Sequence, residues 1–256
     1  MQIVSLTTDF GTRDYHVAEL KAAILRSSPK VTILDVSHAV DSYDIVEAAY
    51  NLGSIYPSCP SNSIHIISVY NYYDKDSEFV VYQREGTYFV APNNGVLTLL
   101  FPDILPTDLY LINRADIDMS SLAKIFAHAV GYLSHGLPLD ELGAHPLTVN
   151  QKIGIQPVVT SSQIRATIIH IDHFGNVVVN LKKERFEELR AGRQFEIYYQ
   201  QSDPVRHISK DYGEVPIGEV LCLFNSAGYM EIAINIGKAS ELLSLKKNET
   251  IQINFA

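Results

Sequence analysis

The sequence predicts an α/β N-terminal domain with a largely parallel sheet, followed by a smaller C-terminal β-barrel domain. Strand-like and helix-like periods alternate through the first part of the chain, a stretch rich in Pro and Gly breaks the pattern near the middle, and short β-like runs fill the remainder. Alternation of the first kind builds parallel sheets with helices on their faces, whereas many short strands separated by turns build barrels or sandwiches. With 256 residues the chain is long enough to bury a large and a small core.

Residues 2–7, QIVSLT, read as a short buried strand ending at Thr8-Asp9-Phe10-Gly11. Val17, Leu20, Ile24 and Leu25 recur at helical spacing, so a helix follows, with Thr12 or Asp14 as its N-cap and Pro29 as its stop. Val31–Val36 is the second strand, Ile45–Ile55 a second amphipathic helix and Ser63–Val69 the third strand. EFVVYQREGTYFVAP reads as a hairpin turning at Glu85-Gly86, Asn93-Asn94-Gly95 as a turn, and Ser121–Leu133 as a further helix. Ligands of such sheets lie beyond the carboxyl ends of the strands, here Thr8–Gly11, Ser37–Asp44 and Tyr70–Asp76.

Between Gly136 and Pro157 the helical period disappears among prolines and glycines, which sets the domains at 1–146 and 157–256 with 147–156 as linker. Beyond it lie strand-like runs at Gln163–Ile171, Val177–Leu181, Phe195–Tyr199, Val220–Phe224, Met230–Ile234 and Thr250–Phe255. Helical stretches are brief, near Glu184–Arg190 and Ala239–Leu243.

The composition, 46% hydrophobic and 19% charged, describes a folded protein. A net charge of −9 without any basic stripe argues against a nucleic-acid partner. Cys59 and Cys222 are too few and too far apart for a disulfide framework, which favours a reducing compartment. No signal-peptide pattern and no apolar run of about 18 residues occurs, so a cytoplasmic protein without membrane association is expected. His170 and His173, or His128, His135 and His145, invite a metal, but convergent ligands and an H-E-x-x-H pattern are lacking, and no metal is expected. G-x-G-x-x-G, Walker and G-x-S-x-G patterns are absent too.

Two stretches offer chemistry. Asp9 directly follows a buried strand, and its carboxylate suits the two hydroxyls of a ribose; capping the next helix is an equally weighted alternative. In IDHFGNVVVN, Asp172, Phe174 and Asn176 share one face if the segment stays extended, a set suited to an amine and a flat heterocycle. Spacing alone favours a plain β-turn at His173–Asn176.

TTDFGTRD, ILDVSH followed by DSYDIVEAAY, YFVAPNNGVLTLL, LPLDELG, IDHFGNVVVNL and NSAGYMEIAIN with ASELLSL stand in this order along nearly the whole chain. Together they resemble the S-adenosylmethionine (SAM) hydroxide adenosyltransferases, SAM hydrolases related to the fluorinases and chlorinases. The resemblance implies an α/β nucleoside-binding domain joined to a β-barrel, and a homotrimer whose SAM site lies between one subunit's N-terminal domain and a neighbour's barrel. It also implies nucleophilic substitution at the ribose C5′, with methionine leaving. By position, Asp9 would bind the ribose hydroxyls with Tyr43 beside them, and Asp172 and Ser226 would hold the methionine amino and carboxylate groups. Phe174 and Asn176 would contact the adenosyl part, with Asn235 and Ile236 near adenine. SAM is then the substrate, and no metal takes part.

One loop departs from the family pattern. Hydrolases resemble V-D-P-G-V-G-T after the third strand, with an Arg soon after and a His from a later F-H-G-R-D. Here Tyr70 stands at the Asp position, Asn71-Tyr72-Tyr73-Asp74 replaces the Pro-Gly run, and Lys75 is the nearest cation. Ser121 occupies the His position, with no histidine between Leu111 and Ala127. Tyr70 and Lys75 are therefore the candidate catalytic residues. Hydrolysis to adenosine and methionine is the leading expectation. The alternatives are non-catalytic SAM or adenosine binding, and a halide-using transfer, since halogenases also carry a Tyr here.

Overall fold

The computed structural model describes residues 2–71, 77–113, 121–199 and 204–256. The chain divides into two compact units, Met1–Gly154 and Ile155–Ala256.

The first unit runs β1 (Ile3–Thr8), α1 (His16–Ser27), β2 (Thr32–Ser37), α2 (Ile45–Ile55), β3 (Ile64–Ser68), β4 (Phe79–Arg84), β5 (Thr87–Pro92), α3 (Val96–Leu100), β6 (Leu109–Leu111), α4 (Leu122–Ser134) and α5 (Leu139–Leu142). Its sheet has the order β2-β1-β3-β5-β4-β6. β1 is parallel to β2 and β3, β3 is parallel to β5, and β4 runs against both β5 and β6, so the sheet is mixed with one reversed strand. Alternate side chains serve opposite faces. Val4, Leu6, Ile64 and Ile66 pack with Leu20 and Ile24 of α1 and Phe126 and Val130 of α4. Ile67 and Phe89 pack on the other face with Ala48 and Leu52 of α2 and Phe101 after α3.

This layout creates the crevice that matters. The chain leaves β1 for β2 over one face and returns from β2 to β3 over the other, so the connections diverge at the carboxyl ends of β1 and β3. Two local expectations differ from the structure. α1 begins at His16 behind Tyr15 with no side-chain cap, so neither Thr12 nor Asp14 caps it. Leu25 is 44% exposed, because the stripe facing the sheet is carried by Leu20 and Ile24. The hairpin does turn at Glu85 and Gly86, with φ of 51° and 77°, the paired left-handed conformation that a two-residue turn needs.

The second unit comprises β7 (Val158–Val159), β8 (Gln163–Ile171), β9 (Val177–Lys182), α6 (Lys183–Arg190), β10 (Phe195–Tyr198), β11 (Val220–Phe224), β12 (Tyr229–Ile234), α7 (Ala239–Leu242) and β13 (Thr250–Phe255). Every pairing is antiparallel, in the order β10-β13-β8-β9-β12-β11, with β7 also on β8. The first part of β8 pairs with β13 and its end pairs with β9, and the β8–β9 register shifts between Ile168 and His170. Such an irregularity bends a strand, and the sheet curls over a core that includes Ile164, Val179, Phe186, Ile232 and Ile253.

This is a curled half-barrel, not the closed barrel expected from the sequence. The strand path ends at β10 and β11, which do not pair with each other among the described residues. Instead Val205 exchanges backbone hydrogen bonds with Ile197 at 2.8 and 3.0 Å, and Ser209 N–H donates to the Cys222 carbonyl at 2.7 Å. Closure requires matched tilt and stagger around the ring, and period-two alternation reports the strands without reporting either. No helix among the described residues is long and apolar enough to cross a membrane.

Candidate functional site

Asp9 emerges from β1 at the crevice, and it caps no helix. Its Oδ2 accepts the backbone N–H of Tyr43 and of Tyr70, each at 3.1 Å, so one oxygen joins the loops after β1, β2 and β3. Both tyrosines are left-handed, with φ of 70° and 52°. For non-glycine residues such a backbone costs on the order of 1–3 kcal/mol each, and it survives where neighbours hold it. Around Tyr43, Asp44 Oδ1 caps α2 by accepting from Val46 and Glu47, and the buried Glu47 accepts from Asp41 N–H at 3.3 Å. Around Tyr70, Asn94 Nδ2 donates to the carbonyls of Val69 at 2.9 Å and Tyr70 at 3.1 Å. The two rings then meet edge to face, with centroids 5.6 Å apart and planes at 69°.

A polar chain supports the Asp9 turn from behind. The buried His38 places Nδ1 2.9 Å from Thr8 Oγ1 and Nε2 3.1 Å from Asp35 Oδ1, while Lys21 pairs with the other Asp35 oxygen at 2.6 Å. The His38 carbonyl accepts Gly11 N–H at 2.7 Å, where a φ of 68° calls for glycine.

In the second unit the plain turn is the correct local description of residues 172–176. Asp172 Oδ1 accepts from the N–H groups of Phe174 at 2.9 Å and Asn176 at 2.8 Å, and its Oδ2 accepts from Asn176 Nδ2 at 3.0 Å. The extended face is therefore not what brings these side chains together. The turn itself leans on the loop after β12: Ser240 N–H donates to the Gly175 carbonyl at 2.9 Å, and a Cβ at Gly175 would lie 2.8 Å from Lys238 Cβ. Between turn and loop opens a cleft of about 670 Å³ lined by Asp172, Phe174, Asn176, Asn235 and Ile236. Tyr212 and Lys238 also belong to its wall. Ile236 is left-handed at φ 53°, an outlier for a β-branched residue, and is 81% exposed. An apolar, aromatic wall bearing a few amides and a carboxylate suits a heterocycle with polar edges.

Profiles of two domains match this chain: the SAM hydroxide adenosyltransferase N-terminal domain over residues 4–143 and the corresponding C-terminal domain over residues 166–252. The chain belongs to the SAM hydroxide adenosyltransferase family. Within that family it is 28% identical to the (R)-S-adenosyl-L-methionine hydrolase of Thermus thermophilus, over 99% of this chain and all of that protein. It is 27% identical to the hydrolase of the same name from Methanocaldococcus jannaschii, over 100% and 97% of the two chains. A fluorinase from an Actinoplanes species is 24% identical over 99% and 98%. Among solved structures, an uncharacterized conserved protein from Thermotoga maritima superposes with a TM-score of 0.86 at 28% identity, covering 98% of this chain and 99% of that one.

Other positions of this SAM hydroxide adenosyltransferase family member fall apart from the cleft or outside view. Ser226 sits in the exposed turn before β12, at the Lys182 end of that strand, while Asn235 follows its Val177 end; Ser226 does not line the cleft. Lys75 lies outside the described residues. Ser121 caps α4, accepting from Ala123 N–H at 3.2 Å and donating to Glu19 at 2.8 Å, beside a groove of about 520 Å³ that holds none of the expected site residues. Among the described residues one set of potential metal ligands converges, Asp41, Asp44 and Glu47, and it contains no histidine.

Sequence reasoning passed over Glu231. Its carboxylate is buried in β12, where it accepts from Tyr212 Oη at 2.7 Å and Asn225 Nδ2 at 3.3 Å. Burial pushes its carboxyl up, against the downward pull of those two hydrogen bonds. Glu231 thus links the cleft wall to the turn that carries Ser226. The available signal was an acid inside the apolar run YMEIAI.

Proposed function

We propose that this chain transfers the adenosyl group of SAM from sulfur to water, yielding adenosine and methionine. The observation that carries the reading is the match of both units to SAM hydroxide adenosyltransferase domains. Full-length relatives that are named SAM hydrolases and fluorinases support it. In the step a water oxygen bonds to C5′ as the C5′–S bond breaks. The bonding pair leaves with sulfur as the methionine thioether, and a water proton passes to solvent.

A sulfonium leaving group needs no acid, so the protein's work is alignment and removal of competing water. Asp9 Oδ1, which no described residue hydrogen-bonds, is assigned to the ribose hydroxyls, with Tyr43 beside them. The remaining acceptor capacity of Asp172 is assigned to the methionine ammonium, and Phe174, Asn176, Asn235 and Ile236 to the adenosyl part. Ser226, on the turn that Asn225 and Glu231 tie to Tyr212 of the cleft wall, is assigned to the methionine carboxylate. Tyr70, with Lys75 as second candidate, orients the attacking water. Lacking the family's Asp, Arg and His there, turnover is expected about 10²- to 10⁴-fold below that of an enzyme with full acid–base assistance. The assembly is proposed to be a homotrimer in which Asp9 of one subunit and Asp172 of a neighbour serve one ligand.

Incubation of the purified protein with SAM, followed by chromatography, is expected to give adenosine and methionine in equal amounts. A halogenated nucleoside formed only with chloride or fluoride present, or saturable binding without product, would replace hydrolysis by one of the two alternatives. Absence of binding would dismiss the family activity for this chain.

A further inference from the structure

We propose that Tyr43 and Tyr70 form a two-walled aromatic corner that binds the sulfonium charge of the ligand, so that the site distinguishes a charged sulfonium nucleoside from its neutral thioether. The inference rests on the nucleoside reading of Asp9 and adds to it the feature that selects the ligand.

Three observations lead there. The rings stand 5.6 Å apart at 69°, so their faces form a corner open on one side, and they are 68% and 41% exposed respectively. Their backbones are both left-handed and both tied to Asp9 Oδ2, which means that backbone strain is maintained to keep two large rings in one place. Packing does not require this, because the core cluster that holds Ile67, Val69 and Ala48 is formed without either ring. Finally, the surroundings are acidic: Asp9 lies between the loops, and oxygens of Asp41 and Asp44 on the loop carrying Tyr43 and of the buried Glu47 in the first turn of α2 lie within 4.8 Å of one another. Ring faces carry negative potential and attract weakly hydrated cations, for which a trialkylsulfonium is a better match than an ammonium that must shed tightly held water.

The corner has a kinetic signature. The positive charge on sulfur vanishes as the C5′–S bond breaks, so a cation–π contact stabilises bound substrate more than the transition state. Removing it is expected to raise KM for SAM more than it changes kcat, and the neutral products are released without that hold.

Calorimetry with two probes tests the proposal: S-adenosylhomocysteine, and the nitrogen isostere of SAM, whose protonated tertiary amine carries the charge at mildly acidic pH and does not leave. The wild type is expected to prefer the cation by roughly 5- to 30-fold. Tyr43→Phe and Tyr70→Phe, which keep the ring faces, retain that ratio. Tyr43→Leu combined with Tyr70→Leu brings it close to one, while S-adenosylhomocysteine binding persists and reports an intact fold. A ratio near one in the wild type overturns the corner and leaves the nucleoside site standing. A preference that persists in the leucine variant assigns it to the carboxylates and equally overturns the corner. Failure of the wild type to bind either probe removes the nucleoside reading itself.

Discussion

Asp9 shows how one residue can serve two ends at once. Oδ2 secures Tyr43 and Tyr70 through N–H groups at 3.1 Å, which leaves Oδ1 for the ribose in the proposed function. Asp9→Ala is expected to weaken nucleoside affinity by about 1–3 kcal/mol, measured by calorimetry, and an unchanged affinity contradicts the assignment. His65 is a second residue with a measurable consequence. Its ring is fully buried in β3, Nδ1 lies 2.6 Å from Ser5 Oγ, and burial pulls its pKa down to about 4 from the ordinary 6.5. Between these values the unfolded chain binds a proton that the native state does not, so stability falls as pH drops through that window and is fully present above it. The total is about 3 kcal/mol, seen as a drop in urea-unfolding free energy that is smaller in His65→Leu. Neither feature was readable beforehand in full. The motif TTDFG singled out Asp9 without revealing that it holds two strained tyrosines from other loops, and a histidine inside IHIIS breaks no period that would mark it.

At the scale of elements, periodicity located segments well where one face is buried and failed where partners decide. Ile45–Ile55 was expected and is α2, with Asp44 capping it. α1, by contrast, starts later than its presumed caps, because Asp9 and the Phe10–Gly11 turn are used by the crevice rather than by the helix. The second-unit strands were legible as alternating runs, yet their path stays open between β10 and β11, since edge pairing depends on distant residues such as Val205 and Ser209. The Asp172 segment shows the converse. It is the ordinary turn that spacing favoured, and its residues still reach one cleft because the turn packs on Lys238 and Ser240. Gly175 makes that packing possible, with φ 82° and no room for a Cβ beside Lys238. Gly175→Ala is expected to destabilise the protein by about 1–3 kcal/mol in denaturant unfolding and to weaken nucleoside binding with it. Unaltered stability would show that turn and loop are not fastened as described.

For the whole molecule, the ordered motifs revealed the family, and the profiles of both units match it along nearly the full chain. What they left open is the chemistry after β3, where Tyr70 is held by Asp9 and Asn94 with no expected acid–base partner among the described residues near it. The proposed shared site makes a prediction about assembly. Asp9→Ala and Asp172→Ala proteins, assayed at a SAM concentration too low to fill either variant's own sites, are expected to regain about a quarter of wild-type activity when unfolded together and reassembled, because random mixing restores that share of intersubunit sites. No recovery would place both residues in the service of the same subunit. The central claim is that water attacks C5′ as sulfur leaves. It is tested most directly by running the reaction in water carrying the heavy oxygen isotope and locating the label by mass spectrometry: the label is predicted in the 5′-hydroxyl of adenosine, and unlabelled adenosine, or label anywhere else, would contradict it.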